Sequence, residues 1–335
     1  MVALTYDDIQ LIPGYSSIKS RGDVSLSTTL IEGLTKLEIP IIGSPMDTVC
    51  EHEMYEVLYS EGGTGCIHRF MTIDEQVKQI ENVYGFVAGM NEPIIAAIGI
   101  TGDFLERAYE LIEAGANVLL LDVAHGHHVN VQNAITKIRS LYSDISIIAG
   151  NIATAEAAMD LEAWGADALR VGIGGGSLCT TRIKTGFGVP NITCIENIRK
   201  VTTLPIIADG GIRNSSDIAK ALAVGANVVM LGSLLAGTPE SPGKVITKNG
   251  TYYKSFRGSA SFETKSAHKL SLNNIEGEST LIPYKASAKI IIRELMDGLR
   301  SALSYAGAKD LSEFHPEYYQ VTNNGLIESK PHLLL

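Results

Sequence analysis

The sequence predicts an α/β fold, a (β/α)8 TIM barrel carrying a mobile flap after its eighth strand, and three observations predict it. Eight short apolar runs recur along the 335 residues, each bounded by Gly, Asp or Pro. They do not alternate polar with apolar, so they read as strands buried on both faces, as in a parallel sheet covered by helices. Their starts lie roughly 22 to 37 residues apart, which leaves room for a crossover helix each time. Three of the connecting segments also end in one device, Gly115-Ala116-Asn117, Gly165-Ala166-Asp167 and Gly225-Ala226-Asn227. Gly suits the left-handed residue that closes a helix before a strand. One βα unit repeated around a ring points to a closed barrel rather than an open sheet.

In chain order the runs are Ile39–Met46, Gly63–Arg69, Ile94–Ile100, Asn117–Ala124, Ser146–Asn151, Ala168–Gly174, Pro205–Gly211 and Asn227–Ser233. Between the third and fourth, Phe104, Ala108, Leu111 and Ile112 fall on one helical face, with Gly102 and Asp103 as caps. After the eighth run, 237–285 is rich in Ser, Thr, Gly, Lys and Asn and has little apolar periodicity. It reads as an irregular lid at the catalytic face of the barrel, or as a plain surface loop. A helix from about 286 to 305, with Ile291, Leu295, Leu299 and Leu303 on one face, closes the last unit. The tail after Ala308 is polar and expected to be partly mobile. Residues 1–335 thus read as one barrel domain.

Composition narrows the function. A net charge of −10 argues against nucleic acid as a bulk partner, because phosphate backbones need a basic surface. No apolar run is long enough to span a bilayer, and the first residues lack a signal-peptide pattern, so a cytoplasmic setting is expected. Cys50, Cys66, Cys179 and Cys194 are spaced too widely for a zinc motif and are too few for a disulfide framework.

Chemistry concentrates after the last strands. Following the sixth, Gly172-Ile173-Gly174-Gly175-Gly176-Ser177-Leu178-Cys179-Thr180-Thr181-Arg182 bares the backbone and puts Cys179 on the catalytic face. A nucleophilic thiol needs exposure and a neighbour that stabilises its thiolate. From the residues alone, a reactive thiol and a small buried thiol both stay open. Ser177 is placed to bind a phosphate oxygen. Paired glycines end the seventh and eighth strands, at Gly210-Gly211 and Gly232-Ser233, the recurrent phosphate site of barrels. Asp209 is placed to accept from ribose hydroxyls. In Asp122-Val123-Ala124-His125-Gly126-His127-His128, Asp122 reads as a strand-end polar contact rather than part of a metal site. Met46-Asp47 and His68-Arg69 are substrate contacts or ordinary rim residues.

These segments, with Leu4-Thr5-Tyr6-Asp7-Asp8-Ile9, Ser44-Pro45-Met46-Asp47-Thr48-Val49 and Gly298-Leu299-Arg300-Ser301, resemble the IMP dehydrogenase/GMP reductase family over nearly the whole chain. The resemblance implies a barrel enzyme, typically a homotetramer, in which the loop Cys forms a thioimidate with C2 of a purine nucleotide. Two activities share that intermediate. Dehydrogenase members activate water with an Arg-Tyr pair in the flap and usually carry a CBS module after the second strand. This chain has no room for that module and no Arg-Tyr pair in 237–285. Its Glu276-Gly277 resembles the reductase branch instead, as do 183–188 and the short Phe256-to-Ser261 stretch.

The same resemblance implies roles for particular residues. Cys179, Thr181 and Glu276 would be catalytic in a reductive deamination of GMP to IMP and ammonia with NADPH. Ser44, Met46, Ser177, Asp209, Gly211, Gly232, Ser233, Arg257, Ser259 and Ala260 would bind the nucleotide, and Asp122, His125 and Thr181 the cofactor. A monovalent cation, K+, would sit on backbone carbonyls of Gly172, Gly174 and Cys179. Gly175 departs from the family's usual Pro, Phe256 stands where many dehydrogenases have Tyr, and His125 leans toward dehydrogenases. The alternatives are an IMP dehydrogenase without a CBS module, making XMP with NAD, a silent nucleotide sensor, and a flavin barrel.

Overall fold

A computed structural model describes residues 2–268 and 273–328. An N-terminal strand β1 (Ile9–Leu11) precedes the barrel. The barrel strands are β2 (Ile41–Gly43), β3 (Thr64–Ile67), β4 (Ile95–Ile98), β5 (Val118–Asp122), β6 (Ser146–Ile152), β7 (Ala168–Val171), β8 (Ile206–Asp209) and β9 (Val228–Leu231). All eight predicted runs are strands, and they close into a parallel barrel in sequence order, β9 pairing back on β2. Helices α1 (His52–Ser60), α2 (Ile73–Phe86), α3 (Phe104–Glu113), α4 (Val129–Leu141) and α5 (Ala155–Trp164) alternate with them. A short α6 (Thr181–Thr185) follows the Cys loop, and α7 (Asn191–Arg199) and α8 (Ser215–Ala223) complete the ring up to β9. Among the described residues no helix is long and apolar enough to cross a membrane.

Two buried layers explain why the strands read as unbroken apolar runs. Alternate residues such as Val118, Leu120, Ile148 and Ile207 fill the barrel interior, which Leu30, Ile31 and Leu37 help to pack. Their neighbours Leu119, Leu121 and Ala208 face outward against the helices. Each period-2 face is therefore apolar, and no polar face remains to betray the alternation.

The Gly-Ala-Asn/Asp repeat is one device in three places. Gly115, Gly165 and Gly225 take φ of 111°, 106° and 112°, a left-handed turn that favours glycine. The acidic or amide side chain two residues on then accepts from the preceding strand: Ile94 N to Asn117 at 2.8 Å, Ile147 N to Asp167 at 2.7 Å, Ile206 N to Asn227 at 2.9 Å. In two of the three, an arginine caps the glycine carbonyl, Arg139 Nε to Gly165 O and Arg199 Nε to Gly225 O, both at 3.0 Å.

Three expectations are corrected. The insertion is not irregular: β10 (Ile246–Lys248), β11 (Thr251–Arg257) and β12 (Ser279–Pro283) form an antiparallel sheet, with α9 (Phe262–Ala267) between the last two. The closing helix, α10 (Ala288–Ala306), buries Ile292 rather than Ile291 together with Leu295, Leu299 and Leu303. In the tail, β13 (Tyr318–Gln320) pairs antiparallel with β1 and α11 (Asn323–Glu328) follows. Asp103 occupies the N-cap of α3 but makes no cap bond, and its carboxylate accepts from Arg107 Nη2 at 2.9 Å instead.

Candidate active site

The C-terminal ends of the barrel strands and the inner edge of the flap enclose a cavity of about 330 Å³. Cys179 is half-buried at its wall, whereas Cys50, Cys66 and Cys194 are fully buried. Burial pushes the Cys50 and Cys194 thiols up to about 12 and raises Cys66 as well, so those three stay protonated packing groups. Cys179 is therefore not a small buried thiol like the other three.

A relay leads away from the thiol. Cys179 Sγ lies 3.1 Å from Thr181 Oγ1, and the Thr181 hydroxyl donates to Glu276 Oε2 at 2.8 Å. Thr181 is two residues away in sequence, but Glu276 arrives from the flap by a backbone route. Thr180 N donates to Glu276 O at 3.0 Å, and Glu278 N to Leu178 O at 3.0 Å. On the other side Glu276 N donates to Ala260 O at 3.2 Å, and Gly258 N to Glu278 O at 2.9 Å. Residues 276–278 therefore lie like a strand between the Cys loop and the end of β11, with bridges from Gly277 to Cys179 and to Ser261.

Opposite the relay, the floor is charged. Arg170, in the middle of β7, donates from Nη1 to Asp122 Oδ1 at 2.7 Å and from Nε to Asp209 Oδ2 at 3.0 Å. Arg69 Nε reaches Asp122 Oδ2 at 3.2 Å, and Asn151 Nδ2 reaches Asp209 Oδ2 at 2.8 Å. Burial opposes ionisation of Asp122, but the Arg170 and Arg69 guanidiniums outweigh it and hold the carboxyl below the usual carboxylate range.

Of the sequence-predicted residues, Ser44, Met46, Asp122, Gly172, Gly174, Ser177, Cys179, Thr181, Asp209, Gly211, Gly232, Ser233, Ser259, Ala260 and Glu276 all line this cavity. Arg257 and His125 do not. Arg257 turns from β11 to the rim and donates to Asp47 Oδ2 at 2.6 Å, which joins flap to barrel. His125 is exposed on the loop after β5. Its neighbours diverge from it: His127 pairs with Asp160 at 2.7 Å, and His128 caps α4. Gly175 packs on the Asn191 amide, and a Cβ there would stand 3.1 Å from Asn191 Oδ1.

Asn151, Arg170 and Lys265 also line the cavity, and sequence reasoning does not find them. Arg170 leaves a signal: a charge inside an apolar strand, Ala168-Leu169-Arg170-Val171, has to be paired. Lys265 leaves none. As for the cation, the Gly172 carbonyl already accepts from Asn151 Nδ2 at 2.8 Å. A carbonyl oxygen has two lone pairs, so one stays available to a cation there.

A half-buried thiol, hydrogen-bonded through a hydroxyl to a carboxylate, thus shares a cavity with bare strand-end glycines at the mouth of a closed parallel barrel. The sequence profile of the IMP dehydrogenase / GMP reductase domain matches residues 3–332. An inosine-5'-monophosphate dehydrogenase of Borreliella burgdorferi is 39% identical, over 98% of this chain and 96% of its own length. A GMP reductase of Lactococcus lactis subsp. cremoris is 38% identical, over 96% and 95%. The structure is similar to that of a GMP reductase variant from Trypanosoma brucei in complex with guanosine 5'-monophosphate, with a TM-score of 0.92 and 30% identity, covering 99% of this chain and 98% of that one. The chain belongs to the IMP dehydrogenase/GMP reductase family, a family of oxidoreductases.

Proposed function

We propose that this chain catalyses the NADPH-dependent reductive deamination of GMP to IMP and ammonia. The observation that carries the proposal is the Thr181–Glu276 contact of 2.8 Å beside Cys179, in a flap that holds no Arg-Tyr pair. Deamination needs a proton at the departing amine, because a neutral amine leaves poorly. Glu276 and Thr181 form a path for that proton to the amine borne by the carbon the thiol attacks.

Cys179 Sγ adds to C2 of the purine as its own proton passes into the relay. The relay returns a proton to the 2-amino group, the C2–N bond breaks, and ammonia leaves a thioimidate on Cys179. A reduced nicotinamide, when bound, supplies hydride to C2. The C–S bond then breaks, returning the thiolate of Cys179 and releasing IMP. In sum, GMP, NADPH and two protons give IMP, NADP+ and ammonium. Ser177, Gly211, Gly232 and Ser233 would hold the phosphate, and Asp209 the ribose. The wall of Arg69, Phe70 and Asp122 suits a nicotinamide riboside. It joins an ionised carboxylate to an aromatic face, over which the Arg69 guanidinium lies at 4.9 Å.

The dehydrogenase reading has one observation in its favour, the comparable identity to members of both branches. One assay separates them. NADPH oxidation that requires GMP and releases ammonia in equal amount is expected, whereas NAD reduction that requires IMP would overturn the proposal.

A further inference from the structure

Arg170 holds two carboxylates that belong to different ends of the cavity. Asp122 ends β5 and Asp209 ends β8, so a single guanidinium spans the barrel mouth between them. Its side chain is 9% exposed, and among the described residues its ion-pair partners are these two carboxylates. Arg170 Nε and Nη2 and Asn151 Nδ2 all meet Asp209 at Oδ2, which leaves Oδ1 for a ligand.

Such a group is costly to bury, and a barrel interior packed with Ile, Leu and Val needs no ion pair for stability. Arg170 does not lie in the sealed layers. It lines the cavity together with both of its partners. The guanidinium is planar and its donors are fixed relative to one another, so a shift of one carboxylate tilts the fork and disturbs the bond to the other. An ammonium on a flexible stem transmits no such tilt.

We propose that Arg170 is a positioning residue that couples the nucleotide and cofactor sites, so that filling either site orders the carboxylate of the other. The proposal rests on the reductase function, in which Asp209 faces the nucleotide ribose and Asp122 the nicotinamide riboside. Ordering of the shared fork is done once, by whichever ligand binds first, and the second ligand meets a carboxylate already aimed. The coupling also sets the angle between the two ribosides, and with it the approach of nicotinamide to C2.

The test uses GMP and oxidised NADP+, a pair that cannot exchange hydride, in calorimetric titrations of the intact protein. The unaltered protein is expected to bind GMP at least about fivefold more tightly when saturated with NADP+, within the usual range for coupled sites. In Arg170→Lys that factor falls to about one while each ligand alone still binds. Asp122→Asn, nearly isosteric, gives a second arm should the lysine variant fold poorly. It keeps GMP's own contacts yet loses the coupling. A factor near one in the unaltered protein, or a factor unchanged in either variant, overturns the linkage. Absence of GMP binding to the unaltered protein overturns the reductase function on which the linkage rests, and so the two failures are told apart.

Discussion

In the barrel, β2 to β9 are buried at nearly every residue, whereas in the flap β10 is exposed throughout and β12 is exposed or half-buried. The two regions are held by different forces. Burial of apolar side chains on both faces fixes the barrel strands. The flap hangs on backbone pairing within its own sheet, on Lys254 Nζ to Pro239 O at 3.1 Å, and on the strip 276–278 laid against the Cys loop. The cavity-lining Asp122, Arg170 and Asp209 stand on the barrel strands. The carboxylate of the relay sits on the flap. Substitutions in the barrel should therefore reach stability first, and substitutions along the flap seam should reach catalysis first.

Cys179, on the barrel side of the seam, gives the largest expected effect. Cys179→Ala should lower turnover by at least about 10⁴-fold, as loss of a covalent nucleophile does. GMP binding and the denaturant midpoint should stay close to those of the unaltered protein. Turnover within tenfold of the original would mean that the thiol is a bystander. Next comes Glu276→Gln, on the flap side. It should lower kcat by about 10²- to 10⁴-fold, the usual weight of a general acid, with ammonia release lost and KM for GMP nearly unchanged. If ammonia release survived, the proton would come from elsewhere.

The barrel half of the comparison is sharpened by Ile292, fully buried on α10. Ile292→Ala should cost about 2–5 kcal/mol in denaturant unfolding, the range for a large-to-small core change, with kcat per folded molecule unaltered. Ile290, exposed on the same helix, should stay within about 0.5 kcal/mol on the same change. Equal losses at the two positions would show that α10 is seated differently.

These two isoleucines also show how far the sequence can be read. Ile290, Ile291 and Ile292 are consecutive, so the helix is legible but its phase is not. The structure chooses Ala288, Ile292, Leu295, Met296, Leu299 and Leu303. The barrel strands are legible because burial on both faces leaves an unbroken apolar signal. The flap sheet is not, because one inward residue of β11 is Lys254, whose ammonium is satisfied by carbonyls. One cue is there to be read. Asn249 and Gly250, with φ of 52° and 76°, form the two-residue turn between β10 and β11, and Asn-Gly is a strong hairpin signal. In the site, the strand-end glycines, Cys179 and Asp209 are visible as local motifs. Arg170 and Asn151 act only through partners far away in the chain, and local patterns do not reveal such pairings.

Gly277 tests the seam with the smallest change. A Cβ at this position would stand 3.0 Å from Ser261 N and 3.2 Å from Ala260 C, both backbone atoms. Backbone cannot rotate out of the way, so Gly277→Ala should push the strip 276–278 off the end of β11 by a few tenths of an ångström and carry Glu276 with it. Misplacing a catalytic group by a full ångström costs about 10²-fold, so a loss of roughly tenfold in kcat is expected. The denaturant midpoint should barely move, because the strip 276–278 contributes no side chain to the apolar core. Gly258 supplies the control. Its Cβ would meet Gly277 Cα at 3.4 Å and Leu178 Cβ at 3.6 Å, ordinary packing distances. Gly258→Ala should therefore leave kcat within about threefold, a difference smaller than one hydrogen bond is worth. Should the two alanines slow turnover alike, crowding at the seam is not what positions Glu276, and the carboxylate reaches Thr181 by a looser route than the backbone pairing describes.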